Sequence, residues 1–267
     1  MHAQRWTVIT VSHNSAKHLS VWLPSDLAGA QWVVVDNASS DESVAVASER
    51  GAHVIPLEDN EGFSRANNRG LEIADTDYVM FVNPDVRVVG HELGLLEQSL
   101  EGRKGLIAPQ LLNPDGSLQS NARGFPYLRA KVANRGVRGP SPVPNAYTGP
   151  PLTAPTYIAW AMGAAVGGRT QYLSDLGGWD SQYFLYYEDH DLGLRSWCAG
   201  GAVIVDPRVK WTHSWQRATA EMSAAAWKFE LSSMSRFYRA YPFLLSRRIP
   251  LPHRFDPLRE RLWQTAA

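Results

Sequence analysis

Tyr78-Val79-Met80-Phe81-Val82-Asn83-Pro84-Asp85-Val86-Arg87 decides how the rest of the chain is read. The first five residues are apolar, bulky and partly β-branched, which predicts a strand buried on both faces. Pro84 has no N–H to give a neighbouring strand and ends the run. Asn83 and Asp85 are thereby presented at the carboxyl end of a strand, where open α/β sheets bind their ligands. A carboxylate beside an amide oxygen suits a hard divalent cation that also grips phosphate oxygens. Taken alone, the stretch reads equally well as a polar turn in which Asp85 caps the next segment.

The segments before it repeat the pattern. Trp6 to Val11 predicts a strand ending in the polar turn Ser12-His13-Asn14-Ser15, followed by a short helix from Ala16 to Leu23 that Pro24 stops. Gln31 to Val35 predicts a second strand, ending in Asp36-Asn37-Ala38-Ser39-Ser40-Asp41. Ser39 or Ser40 is placed to cap a helix over Glu42 to Arg50, which Gly51 closes. Ala52 to Leu57 gives a third strand, and a helix over Phe63 to Ala74 follows Asn60-Glu61-Gly62. Strand and helix alternate at the spacing of right-handed crossovers, so the fold class is α/β with a mostly parallel open sheet and helices on both faces. Four strands ending in polar clusters argue for one ligand groove along the carboxyl edge of that sheet.

Beyond the quoted stretch, a helix is expected near Glu92 to Leu100 and a short strand at Gly105 to Ala108. Residues 134–156 hold six prolines among 23 residues, so they read as a surface loop, either a lid or a plain connector. Ile158 to Val166 predicts one strand and Arg169 to Leu176 a helix, ended by Gly177-Gly178. Another helix opens behind Tyr183, Phe184, Tyr186 and Tyr187 and closes at Gly200-Gly201. Ala202 to Val205 and Val209 to Thr212 predict two short strands leading to His213. Met222, Ala226, Phe229, Phe237 and Tyr241 recur at helical spacing up to Pro242. Residues 1–215 therefore read as the main domain and 216–267 as a helical appendage packed on it. Eight Lys or Arg stand against three Asp or Glu in residues 228–267, a local charge of +5. That basic segment is a candidate for peripheral contact with anionic lipid, or simply a solvated helix face.

Composition excludes several classes. The 267 residues suffice for one large domain or a domain with an appendage. Zero formal net charge gives no reason to expect nucleic acid as a partner. One cysteine, Cys198, rules out an intrachain disulfide and a cysteine-built metal site. No signal-peptide pattern and no membrane-spanning run are evident, so a cytoplasmic protein is expected, with the inner membrane face as a candidate location. The chain lacks Gly-x-Gly-x-x-Gly after its first strand, a P-loop and a Gly-x-Ser-x-Gly elbow.

Three clusters can carry chemistry. Asp36-Asn37, with Ser39 and Asp41, can pair with a base edge or ribose hydroxyls, and helix capping accounts for one of Ser39, Ser40 and Asp41. Asn83-Pro84-Asp85 can hold magnesium or manganese, which needs few protein carboxylates when phosphate oxygens and water fill the other positions. A nitrogen ligand from His213 favours manganese. Glu188-Asp189-His190-Asp191 places four ionisable groups at a helix start behind aromatic rings. Desolvation there is expected to raise the pKa of whichever acid faces the cleft and make it the better base.

In this order and spacing the clusters resemble the family 2 inverting glycosyltransferases of the GT-A fold, in particular the bacterial rhamnosyltransferase-like branch. The matching stretches are V-I-T-V-S-H-N-S (8–15), W-V-V-V-D-N-A-S-S-D (32–41) and N-E-G-F-S-R-A-N-N-R-G (60–70). They continue in Y-V-M-F-V-N-P-D-V (78–86), G-G-W-D-S-Q-Y-F-L-Y-Y-E-D-H-D-L (177–192) and H-S-W (213–215). The resemblance implies that Ser12, His13, Asn14, Asp36 and Asn37 hold the nucleoside, while Asn60, Gly62, Phe63 and Asn67 line the nucleotide and sugar pocket. It implies that Asn83-Pro84-Asp85 stands for the family's Asp-x-Asp, with Asp85 on Mn2+ or Mg2+ and His213 near the metal and diphosphate. Asp189 matches the family's general base, and Trp179, Asp180 and Glu188 fall on the acceptor side. The implied donor is a dTDP, UDP or GDP sugar, with rhamnose a candidate, and the implied acceptor a hydroxyl of a glycan, lipid-linked or small molecule. His13 stands where Tyr is common, Trp179 where Phe is common, and Asn83 where the first metal-motif acid is common. Two further readings stay open: a catalytically silent binder of nucleotide sugar or glycan with the same fold, and a nucleotidyltransferase. The second lacks the basic, Gly-rich loop it needs after the first strand.

Overall fold

A computed structural model describes residues 3–22, 24–133, 147–214 and 224–266. The first half is β1 (Trp6–Ser12), α1 (Ala16–Leu19), β2 (Gln31–Asp36), α2 (Ser43–Glu49), β3 (His53–Pro56), α3 (Phe63–Ile73) and β4 (Tyr78–Val82). Then come β5 (Val86–Arg87), α4 (Leu93–Ser99), β6 (Gly105–Leu112), β7 (Ala122–Arg123), α5 (Leu128–Ala133) and β8 (Thr156–Tyr157). The rest is β9 (Trp160–Ala161), β10 (Ala165–Arg169), α6 (Thr170–Asp175), α7 (Glu188–Cys198), β11 (Ala202–His213), α8 (Ala224–Ala240) and α9 (Asp256–Arg261).

The main sheet runs β3-β2-β1-β4-β10-β6-β11-β5, with β8 also paired to β11. All five residues of β4 are buried, as a strand covered on both faces requires. Each fully buried Val, Met or Phe there is worth roughly 1.5–3 kcal/mol. The sheet is parallel through its first four strands and mixed beyond, where β10 runs antiparallel to both β4 and β6. Register aligns the carboxyl ends: Ser12 lies beside Asp36, and Asp36 beside Pro56.

Two predicted strand patterns change. Ile158 to Val166 is not one strand, because its backbone donors go to different places. Ile158 N–H reaches Val203 in the main sheet, Ala159 N–H reaches Arg123, and Met162 N–H reaches Asn121. The segment instead supplies β9, paired with β7 in a separate two-stranded sheet, and then β10. Conversely, the two strands predicted over 202–212 are one, β11, with a register shift between Asp206 and Lys210 that absorbs Pro207. The strand expected to end at Ala108 continues to Leu112, paired with β11.

Local capping also differs from expectation. Neither Ser39 nor Ser40 caps α2; Glu42 holds the N-cap position, and Asp41 just before it accepts from Ser43 N–H at 3.0 Å. Ser39 Oγ instead donates to Asp36 at 2.6 Å. In the predicted loop over 134–156, residues 134–146 lie outside the described residues, as do Trp215 and Met222.

The C-terminal segment lies against the start of α7. Phe229 stacks on Phe184 with ring centroids 4.4 Å apart, and Phe237 packs on Tyr187 and His190. Ser233 Oγ donates to Leu185 O at 2.8 Å, and Tyr241 Oη to Asp191 Oδ1 at 2.8 Å. These contacts fix the backbone that presents the acidic quartet.

Candidate active site

At the carboxyl edge of β1, β2 and β4 lies a groove of about 620 Å³. His13, Asn14, Asn37, Asn60, Gly62, Phe63, Asn83, Asp85, Glu188, Asp189 and His213 all line it. Residues singled out across two hundred positions of sequence thus meet in one cleft.

Amides organise one wall. Asn37 Nδ2 donates to Asn60 Oδ1 at 2.8 Å, and Asn37 Oδ1 accepts from Glu61 N–H at 2.8 Å. Asn60 Oδ1 also accepts from Gly62 N–H at 3.0 Å. Gly62 has φ +85°, and a Cβ there would meet Phe184 Cδ2 at 2.6 Å, so the turn requires glycine. Phe63 N–H completes the clasp by donating to Phe184 O at 2.7 Å. His13 Nδ1 donates to Asn37 O at 2.9 Å. Asn14, at φ 51°, accepts from Ser40 N–H at 2.8 Å.

Asp85 and His213 form the second feature. His213 Nδ1 lies 2.6 Å from Gln119 Oε1, and Gln119 Nε2 donates to Asn113 Oδ1 at 3.0 Å, which fixes the amide so that Oε1 accepts from the imidazole. Nδ1 therefore carries a hydrogen, and in the neutral ring Nε2 turns its lone pair toward Asp85 Oδ1, 3.4 Å away. Two acceptors facing each other, one oriented by an outer amide, are what a divalent cation uses. When the ring is instead protonated, its Nε2–H and its charge act on the Asp85 carboxylate together with the charge of His18, and they outweigh burial and leave the Asp85 pKa lowered. No three His, Cys, Asp or Glu side chains among the described residues are placed to hold one metal ion together, so phosphate oxygens and water would complete any coordination by Asp85 and His213.

The third feature is the start of α7. Tyr186 and Tyr187 both adopt left-handed backbone, at φ 70° and 69°. Each such residue costs about 1–2 kcal/mol, so the aromatic packing here sustains a strained entry that turns Glu188 and Asp189 into the groove. Asp189 Oδ1 accepts from His190 N–H at 2.8 Å and faces His190 Nδ1 at 2.5 Å, while Oδ2 accepts from Gly163 N–H at 3.2 Å. Burial opposes the Asp189 charge, but the His190 ring, the Lys131 ammonium and the Gly163 N–H outweigh it and hold the pKa below the ordinary value. Glu188 differs: burial and the neighbouring Asp189 charge push its pKa up to about 8. Its Oε2 has no hydrogen-bond partner among the described residues. The sequence argument expected the base to be the acid that desolvation raises. Desolvation does raise acids here, but they are Glu188 and Asp191, whereas at Asp189 the His190 ring, the Lys131 charge and the Gly163 N–H together outweigh burial. Two adjacent carboxyls thus have their pKa values driven apart in one groove.

A family model described as Glycosyl transferase family 2 matches residues 7–142. The chain belongs to that family. The glycosyltransferase is 29% identical over 242 residues to N-acetylglucosaminyl-diphospho-decaprenol L-rhamnosyltransferase of Mycobacterium tuberculosis, covering 82% of this chain and 78% of the relative. It is 26% identical over 199 residues to rhamnosyltransferase WbbL of Escherichia coli, covering 70% and 73%. In fold it is similar to mannosyltransferase PcManGT from Pyrobaculum calidifontis, solved with GDP-Man and Mn2+, at TM-score 0.60 and 15% identity, covering 96% of this chain and 68% of that one. GalNAc-T7, solved with UDP, GalNAc and Mn2+, gives TM-score 0.62 at 14% identity, covering 98% of this chain and 55% of that one. The GT-A architecture is thereby shown.

Not every predicted site residue of this glycosyltransferase reaches the groove. Ser12 Oγ donates to Asp36 Oδ1 at 2.7 Å, and Asp36 also takes Ser39 N–H, so both residues are buried behind the turn that carries Asn37. Asn67 is buried in α3 and donates to Phe63 O at 3.0 Å. Trp179 packs edge-on against Phe63 and Phe81 beneath the cleft. Asp180 accepts from Gln182 N–H at 2.9 Å in a local turn. None of these five is among the residues that line the groove, and the bonds and ring contacts named here tie them into the structure around it. Sequence reasoning missed His18, Met162, Gly163, Phe184, Leu185 and Tyr186 in the lining. Gly163 carries no sequence signal, since its contribution is a backbone N–H. Gln119 was missed because ninety-four positions separate it from the His213 it orients.

Proposed function

We propose that this glycosyltransferase moves a sugar, of the rhamnose type, from a nucleotide diphosphate donor to a hydroxyl of a lipid-linked glycan acceptor, with inversion. The observation that carries the reading is the split between Glu188 and Asp189 in the groove that also holds Asp85 and His213. The two rhamnosyltransferase relatives support the sugar, and the name of the mycobacterial one supports the acceptor class.

The donor's nucleotide occupies the His13, Asn14, Asn37 and Asn60 wall, with its diphosphate toward Asp85 and His213. Those two side chains would hold Mn2+ or Mg2+, which supplies Lewis-acid neutralisation of the leaving diphosphate. Asp189 Oδ2 takes the proton of the acceptor hydroxyl, Oδ1 being engaged by His190. The acceptor oxygen forms its bond to the anomeric carbon while the carbon–oxygen bond to the diphosphate breaks on the opposite face. The electron pair leaves with the diphosphate. Glu188, protonated at neutral pH, donates a hydrogen bond to a sugar or acceptor hydroxyl without competing for the proton.

A basic pocket of about 400 Å³, bordered by Tyr127, Arg129, Arg247 and Arg248, supports peripheral contact with anionic lipid. No described helix is long and apolar enough to cross a membrane.

Calorimetric titration with dTDP, UDP and GDP, each with and without Mn2+, tests the donor half of the proposal. Binding of one nucleotide that strengthens with metal is expected. Absence of binding under every condition overturns it in favour of a silent member of the fold.

A further inference from the structure

We propose that Lys131 and His190 are positioning residues that form a one-way chain of donors behind Asp189, orienting its carboxylate and stabilising its charge. The inference rests on Asp189 being the base.

Lys131 Nζ lies 3.1 Å from His190 Nε2. An ammonium has donors only, so Nε2 must accept and the ring hydrogen must be on Nδ1. That hydrogen faces Asp189 Oδ1 at 2.5 Å. The ring is held in plane by Trp160, stacked at 3.6 Å between centroids, and by Tyr187 at 5.0 Å. Tyr187 also lies under Lys131 Nζ, 3.3 Å from its ring centroid, so one aromatic face fixes both members of the chain. Three helical and loop elements thus converge: Lys131 from α5, His190 from α7, and Gly163, which binds the other carboxylate oxygen from the turn before β10.

Direction matters. Each hydrogen shared between Lys131, His190 and Asp189 points toward Asp189, so along this chain no acceptor faces Asp189 to receive a proton from it. It is a buttress rather than a relay, and the proton taken from the acceptor must leave by the groove. The other charged or titratable groups acting on this cluster are Glu188, on the same helix, and Arg123 and Tyr147, whose guanidinium and ring stack 5.3 Å apart. None of these three donates a hydrogen bond to Asp189, so the proposal assigns its orientation to His190 and Gly163.

The test uses the full chain with ¹⁵N-labelled histidine. Ring NMR is expected to show His190 as the Nδ1–H tautomer, neutral from about pH 5 to 8, because burial and Lys131 push its pKa down to about 4. In Lys131→Met the ring should begin to titrate within that range, while Lys131→Arg should restore the wild-type signal. An Nε2–H tautomer in the wild type overturns the proposal without any activity measurement. In transfer assays, His190→Phe keeps the stacking and removes the donor, so the acid limb of kcat/KM should move up by about one unit or more. A purely structural role would lower the rate without moving that limb. Full transfer by Asp189→Asn would reject the base assignment itself. An inactive Asp189→Asn beside an unmoved limb in His190→Phe would reject only the buttress.

Discussion

Glu188→Gln should stabilise the protein at alkaline pH and change little at acid pH. The ordinary carboxyl value is 4.5, and burial beside Asp189 raises it to about 8 in the folded chain. A raised folded pKa contributes stability that is complete below about 4.5 and is lost as pH rises through about 8. At pH 8 the unfolded carboxyl is almost fully ionised while the folded one is half protonated, which costs about 4 kcal/mol. At pH 5 the same comparison gives less than about 1 kcal/mol. Glutamine cannot ionise, so the stability gap between variant and wild type should widen by about 3 kcal/mol over this range. His190, with its pKa pushed down to about 4, acts in the opposite sense as pH falls, but it is present in both proteins and cancels in the difference. For a chain of this size the widening corresponds to roughly 6–12 °C in Tm. Thermal unfolding of both proteins at the two pH values measures it. An equal Tm difference at pH 5 and pH 8 would refute the assignment of a neutral, buried Glu188.

Other perturbations reach separate parts of the groove. Gly62→Ala forces a side chain into left-handed backbone against Phe184, so denaturant melts should show a loss of at least about 2 kcal/mol and nucleotide binding should weaken. Gln119→Leu removes the acceptor that orients His213, and Mn2+ affinity followed by calorimetry should fall roughly 10–100-fold with the fold intact. Asp85→Ala should remove most of the metal dependence of nucleotide diphosphate binding, while metal-independent binding along the asparagine wall persists. Unchanged metal dependence would place the cation elsewhere.

The sequence was legible wherever the signal was local. A buried strand ended by proline, Asn83-Pro84-Asp85, shows both its burial and its exit. Polar strand ends beside Asn37 and Asn60 likewise needed only neighbouring residues. The failures share a physical cause, which is that the deciding partner lies far along the chain. Ile158 to Val166 is apolar enough for a strand, but its donors are divided between β11, the β7 segment and Asn121. Pro207 looks like a strand break, yet pairing with β6 carries β11 across it. Ser12 and Asp36 are polar residues at strand ends, and which way they face depends on Ser39. The acidic quartet showed that carboxyls would be desolvated; only the fold shows His190 and Gly163 donating to Asp189 while burial beside Asp189 keeps Glu188 raised.

The most direct measurement is transfer from the bound nucleotide's sugar to a lipid-linked glycan acceptor, with the product's anomeric configuration read by NMR, for wild type and Asp189→Asn. The account predicts an inverted linkage from the wild type and, from the variant, no transfer alongside retained nucleotide binding. A retained configuration, or full transfer by the variant, would contradict it.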